Sequence, residues 1–300
     1  MKKNTIVAVV IIVVVVGAYF LFFKGSSDDQ KKVTPNTTDT KTVVAPTKPK
    51  VDGDSTVVGT SVKGRNIIAY HYGKGGDEIL FVGGIHGSYA WNTGAVAYDL
   101  MDYLKANPNA IPANEKITVI PVLNPDGMVV GNGTTSIRSL SEINDVPESV
   151  LVSGRFNSNK VDLNRNFDCD WQSTGKWQSK TVSGGSEAFS EPESQAFKNY
   201  VEKNKPVAVV AWYSAAGGVY ASSCHNGVSA ETNKLTKTYS VASGYPAYET
   251  FDFYAITGDM INWVAKNNIP AISVLLTNHT STEWTKNQAG IIAVLKSYAK

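Results

Sequence analysis

Histidine, arginine and amide side chains stand in this sequence where short apolar runs give way to turn residues. Behind residues 79–82 comes Gly83-Gly84-Ile85-His86-Gly87-Ser88-Tyr89-Ala90-Trp91-Asn92-Thr93, and behind 117–123 comes Asn124-Pro125-Asp126-Gly127. A long polar stretch, 131–185, carries Gly154-Arg155-Phe156-Asn157 and then Val161-Asp162-Leu163-Asn164-Arg165-Asn166-Phe167. Ser190-Glu191-Pro192-Glu193 follows. Tyr213-Ser214 stands behind 207–212, Tyr254 ahead of Thr257-Gly258-Asp259-Met260-Ile261-Asn262-Trp263, and Leu275 near the end of the last apolar run. A neutral imidazole can ligate a metal, and a guanidinium can hold a carboxylate through two parallel hydrogen bonds. By residue type alone, a single histidine is a structural residue, because a catalytic metal site takes three protein ligands. The arginines by the same standard are surface ion pairs of little energetic weight.

The elements around these segments follow from periodicity. Residues 66–72 and 79–82 read as strands, and 91–106 as a helix ending at Asn107-Pro108. The run 117–123 closes on an Asn-Pro-Asp-Gly turn. A helix is expected over 191–202, with Ser190 as N-cap and Glu193 three residues on. Buried strands are expected at 207–212 and 270–276, and helices at 230–243, 258–266 and 283–298. Short apolar strands alternating with helices imply an α/β domain with a largely buried sheet. Ligands in such sheets sit beyond the carboxyl ends of the strands, where the segments above stand. The stretch 131–185 is too long for a simple connection and is expected to carry function.

The amino terminus fixes the expected compartment. Lys2 and Lys3 precede an unbroken apolar run over 6–23, close to the ~20 residues a helix needs to cross a bilayer. A signal peptide is the rival reading, but residues 19–24 offer no small-x-small cleavage site. The expectation is an uncleaved transmembrane anchor over 1–24, a polar linker over 25–52 and one domain over 53–300. The lysines place the domain outside the cytoplasm of a single-pass membrane protein. With 28 Lys and Arg against 26 Asp and Glu, the chain lacks the basic excess of a nucleic-acid binder. Cys169 and Cys224 are expected to form one disulfide in an exported protein, with zinc ligation by the pair, beside His225, as the alternative.

Taken in order, the His86 segment, Asn-Pro-Asp-Gly, Asp-Leu-Asn-Arg-Asn-Phe and Ser-Glu-Pro-Glu resemble the zinc metallocarboxypeptidases of the carboxypeptidase A family, from about Val57 to the carboxyl terminus. The resemblance implies an α/β/α sandwich of three layers around a mixed, largely parallel sheet. It also implies one zinc held by two histidines and a glutamate, a glutamate as general base, and arginines for the substrate carboxylate and the oxyanion. His86 matches the first zinc ligand. The ligand glutamate is replaced by Tyr89 or Ala90, the second histidine by Tyr213 and the general base by Leu275. By the same resemblance Arg155 is the oxyanion arginine, Asn164 and Arg165 grip a terminal carboxylate, Tyr254 closes over the substrate, and Ile261 lines the pocket for the terminal side chain.

These departures imply a degenerate site without a cofactor, in a relative that binds peptide carboxyl termini such as cell-wall stem peptides. Two alternatives stand beside it. One is an active zinc enzyme with relocated ligands, for which His279 is the candidate kept; His71 and His225 are read as packing and loop residues, and Asp259 as a possible displaced base. The other is a surface scaffold that binds nothing.

Overall fold

The computed structural model describes residues 54–300; the expected anchor and linker lie outside the described residues. In chain order the elements are β1 (Asp54–Thr60), β2 (Asn66–Gly73), β3 (Asp77–Val82), α1 (Trp91–Ala106), β4 (Glu115–Ile120), α2 (Pro125–Asn132), α3 (Glu148–Ser153), β5 (Thr174–Trp177) and β6 (Lys180–Ser183). They continue with α4 (Pro192–Asn204), β7 (Ala208–Ser214), β8 (Gly218–Ala221), α5 (Ala230–Ser243), β9 (Ala247–Tyr248), α6 (Met260–Lys266), β10 (Ala271–Leu276) and α7 (Trp284–Tyr298). Among the described residues no helix is long and apolar enough to cross a membrane.

One eight-stranded sheet runs β1-β2-β4-β3-β7-β10-β8-β9. Its middle, β4-β3-β7-β10, is parallel; β1-β2, β2-β4 and β10-β8 are antiparallel. The central strands are apolar throughout because both faces are covered, as a parallel sheet requires. Alternate residues divide between two cores. Ile79, Phe81, Val210, Trp212, Val274 and Leu276 pack under α1, α5 and α7. Leu80, Val82, Val209, Ala211, Tyr213 and Leu275 face the side covered by α4 and α6. The result is the expected three-layer α/β/α sandwich. The period-two side-chain alternation of a strand puts Tyr213 and Leu275 on one face, and the register of β7 and β10 pairs them directly.

Several expectations need correction. Asn-Pro-Asp-Gly is the start of α2: the Asn124 side chain accepts from the Gly127 N–H, with Pro125 at the first helical position. The chemistry that makes this tetrapeptide a turn also makes it a helix cap. Glu191, and not Ser190, is the N-cap residue of α4, and it makes no side-chain cap bond. Its carboxylate and that of Glu193 instead accept from Asn157 Nδ2, at 2.6 and 3.1 Å. The stretch 131–185 also holds regular elements, α3 and the β5-β6 hairpin. One expectation holds: Cys169 and Cys224 are joined as a disulfide.

Candidate functional site

A cleft of about 1030 Å³ opens beyond the carboxyl ends of the parallel strands. His86 enters it from the turn between β3 and α1, and what fixes this turn is close backbone packing. Gly87 has φ +44°, and a Cβ there would strike the backbones of Gly127 and Gly154. Three chain segments therefore meet where only glycines fit, which sets His86 against the segment that carries Arg155.

Asp162 is the hub between them. Its Oδ2 accepts from Arg155 Nε and Nη2, at 3.1 and 2.8 Å, and its Oδ1 from the Asn164 backbone N–H at 3.1 Å. His86 Nε2 lies 3.3 Å from Oδ1, although neither ring nitrogen has an aligned hydrogen-bond partner. Burial opposes the charge of Asp162, but Arg155 and then His86 hold its carboxyl well below the usual range. Burial, then Arg155, pushes the His86 imidazole down to about 4. His86 is therefore neutral at physiological pH.

Both arginines are anchored by the β5-β6 hairpin. The Arg155 guanidinium lies 4.5 Å from the Trp177 ring and 5.6 Å from that of Tyr89. Arg165 donates to the Lys176 carbonyl from Nε and Nη2, at 3.0 and 2.8 Å, and from Nη1 to the Asn164 carbonyl. It is 1% exposed, and none of the ion pairs among the described residues includes it. Tyr254 lies over it with the ring 5.9 Å away. Asn164 Oδ1 accepts from the Met260 N–H and from the Tyr213 hydroxyl, while its Nδ2 donates to Asp259 Oδ2. Gly258 makes this approach possible, since a Cβ there would meet the Arg165 backbone.

The positions that the resemblance gives to zinc chemistry carry no matching donors. Ala90 is a buried methyl group. The Tyr213 phenol is bonded to Asn164, and burial above all holds its pKa well above 10, so it is a neutral hydroxyl. Leu275 is apolar and lines the cleft beside it. One imidazole remains where a catalytic zinc needs three protein ligands, so these residues do not fit the metal.

Among the described residues no relocated set of ligands gathers around His86 either. His279 lines the cleft and packs on Tyr89 at 4.5 Å, but the only group of three ligand atoms close together among the described residues is Cys169, Asp170 and Cys224. Those two sulfurs are bonded to each other, and His225 pairs with Asp170 at 3.1 Å. His71 bridges Thr56 and Thr118 within the sheet, away from the cleft.

His86, Arg155, Asn164, Arg165, Tyr213, Tyr254 and Leu275 all line the cleft. Ile261 does not: it is 1% exposed in the core behind the wall, and Asp259 and Asn262 line the cleft in its place. Sequence reasoning missed Trp177. Its hairpin turns on Gln178-Ser179, without the Asn-Gly or Asp-Gly pair that marks such turns. Asp162 stood inside a recognised motif, but its pairing with both His86 and Arg155 is visible only in three dimensions.

Comparison with known proteins agrees with this architecture. Among solved structures, murein-tripeptide amidase from Escherichia coli O157 is 18% identical with a TM-score of 0.57, covering 82% of this chain and 93% of that one. Carboxypeptidase A from Helicoverpa armigera is 15% identical with a TM-score of 0.61, covering 82% and 69%. At these identities the likeness is one of fold. A curated zinc carboxypeptidase from Simulium vittatum is 29% identical over 158 residues, so the match spans 50% of this chain and 49% of that relative. The sequence model of the family described as zinc carboxypeptidase (Peptidase_M14) matches residues 54–293. With the fold, the motifs and that match together, the chain belongs to the zinc carboxypeptidase family.

Proposed function

We propose that this protein is a membrane-anchored, non-catalytic member of its family whose cleft binds peptide carboxyl termini. The observation that carries this reading is Arg165: a guanidinium 1% exposed, facing a cleft, with carbonyl partners and no carboxylate. Burying a charge without a counter-charge is costly, so a ligand carboxylate is its natural complement. Carbonyl acceptors hold the guanidinium in place, and Asp162 and Asp259 act on its charge only from beyond ion-pair distance. The Tyr254 ring lying over Arg165 supports a role in covering the bound terminus, with the Tyr213 hydroxyl and Asn164 as its polar surroundings.

Catalysis is not part of this reading. Bound zinc supplies a Lewis acid and an activated water. Ala90 and Tyr213 do not provide its ligands, and Leu275 cannot take a proton. Groups that act as a unit fail together, so little beyond background turnover is expected. The murein-tripeptide amidase among the structural neighbours makes cell-wall stem peptides the first ligands to try.

The test is calorimetric titration of the full chain in detergent micelles with peptides whose carboxyl terminus is free or amidated. Binding of the free form alone is expected, with loss on Arg165→Ala. Equal binding of amidated peptides sinks the reading, and binding of neither leaves the scaffold alternative. Anchoring is tested separately: the chain is expected to stay with membranes through an alkaline wash.

A further inference from the structure

Two pairs of consecutive residues, Cys169-Asp170 and Cys224-His225, meet where the segment behind Arg165 reaches the loop behind β8. The two sulfurs form the disulfide, and a carboxylate is gathered with them: Cys169 Sγ, an Asp170 oxygen and Cys224 Sγ lie within 4.8 Å of one another. His225 extends the group outward, its Nε2 3.1 Å from Asp170 Oδ1. The cysteines are buried, while the Asp170 and His225 side chains are 55% and 66% exposed. An ion pair that open contributes little, so stability does not account for its place on the disulfide. Asp170 and His225 also both hold left-handed backbone, φ +53° and +67°, which costs a residue with a Cβ.

Two thiolates, an imidazole and a carboxylate are the ligand types of a closed tetrahedral zinc site. Bonds of about 2.0–2.1 Å to nitrogen and oxygen put two such atoms about 3.3 Å apart across a tetrahedral angle, close to the 3.1 Å between His225 Nε2 and Asp170 Oδ1. Bonds of about 2.3 Å to sulfur put two thiolates about 3.8 Å apart, a separation open to them only once the S–S bond is broken. The thiolate and not the disulfide is the ligand. The cross-link has something to hold in either state. Gly258 N–H donates to the Cys169 carbonyl at 2.8 Å and Phe167 N–H to the Gly258 carbonyl at 3.0 Å, so Cys169 continues the segment that presents Asn164 and Arg165. Ser223, beside Cys224, lines the cleft, and its N–H donates to Asn262 Oδ1 at 3.2 Å.

We propose that Cys169, Asp170, Cys224 and His225 form a zinc site when the disulfide is reduced, so that the same two segments are fastened by a covalent bond in one redox state and by a metal ion in the other. The reductant is a dithiol, oxidised to its own disulfide as two electrons and two protons turn the S–S bond into two thiols. Zn2+ then displaces both thiol protons and takes the neutral imidazole and the carboxylate as its remaining ligands. The site does not involve His86, and it is independent of the carboxylate reading of Arg165.

The experiment reduces the full chain in micelles with a phosphine, which is oxidised to its oxide with water as the source of oxygen and protons. The chain is then desalted without oxygen and titrated with Co2+, a spectroscopic stand-in for zinc. It has two cysteines, so thiolate-to-cobalt charge-transfer absorption reports this pair alone. One cobalt per reduced chain is expected, with the d–d bands of a tetrahedral site and displacement by one equivalent of zinc. The unreduced chain is expected to show neither band. Asp170→Asn and His225→Gln are surface changes that leave both cysteines in place, and each is expected to weaken Co2+ binding about tenfold or more, the least that losing an outer partner of a metal site costs. Zinc is expected to slow hydrogen exchange around 169 and 224 in the reduced chain to the rates of the disulfide form. Absence of the thiolate band from the reduced chain overturns the proposal. So does a band that both variants leave unchanged, which would make the pair an open dithiol chelator. Metal bound by the reduced chain without that band overturns it too and moves the ion elsewhere in the molecule.

Discussion

Asp162 and Glu115 are two carboxylates closed off from solvent, each 0% exposed, at opposite ends of the same sheet. Asp162, beyond the carboxyl ends of the strands, touches a guanidinium, an imidazole and a backbone N–H. Glu115, at the amino end of β4, has no partner on either oxygen, and Asp77 is the charge that acts on it. Asp162 is therefore held charged, while burial and then Asp77 push Glu115 up to about 7. Exclusion from solvent does not by itself decide the charge state; the neighbouring cation does. The contrast also explains why Asp162 has work that is independent of any metal. A carboxylate beside a ligating histidine would serve to orient it, but here the Arg155 fork fully engages the other oxygen.

The largest effect expected is on metal binding. Ala90→Glu, Tyr213→His and Leu275→Glu together put back two ligands and a base around the His86-Asp162 pair. Metal analysis after desalting is expected to find stoichiometric zinc in the triple variant and not in the wild-type chain. Zinc in the wild type, or none in the variant, breaks the account of these positions. Next is Asp162→Ala, which strands the Arg155 guanidinium in the interior and is expected to cost about 3–5 kcal/mol in denaturant unfolding. A loss within 1 kcal/mol of zero, read against the same scale, would remove Asp162 from its central place.

Glu115 gives the smaller effect and the opposite sign. Its folded pKa lies above its unfolded value, so the folded state binds more protons and stability falls as pH rises from about 4.5 to about 7. Glu115→Gln is expected to remove this loss, leaving the variant about 2–3 kcal/mol more stable than the wild type at pH 8 and close to it at pH 4. Parallel pH profiles for the two proteins would show that Glu115 finds a partner in solution.

The strongly periodic elements were legible. The helices expected over 91–106 and 230–243 lie where the structure has α1 and α5, the second ending on Gly244 with φ +74°. The cleft residues were legible as far as short motifs carried them: His86, Arg155, Asn164, Arg165 and Tyr254 converge on it. Ile261 shows where that method stops. Adjacent helical residues point about 100° apart, so a motif that is right along the chain still cannot say whether Ile261 or Asn262 faces the cleft. The packing of Met260, Ile261 and Val264 into one core decides it. The β5-β6 hairpin left no trace, because its turn carries ordinary residues and its strands are short.

That hairpin has a consequence for any effort to change what the cleft accepts. Lys176 and Trp177 are neighbours in sequence, and one holds Arg165 while the other covers Arg155. Arg165 is thus set by a main-chain carbonyl of the hairpin, and Arg155 by the Trp177 ring and the Asp162 carboxylate. A protein engineer seeking longer or shorter ligands would gain little by exchanging the arginines; the adjustable part is the length and twist of the ribbon that grips them.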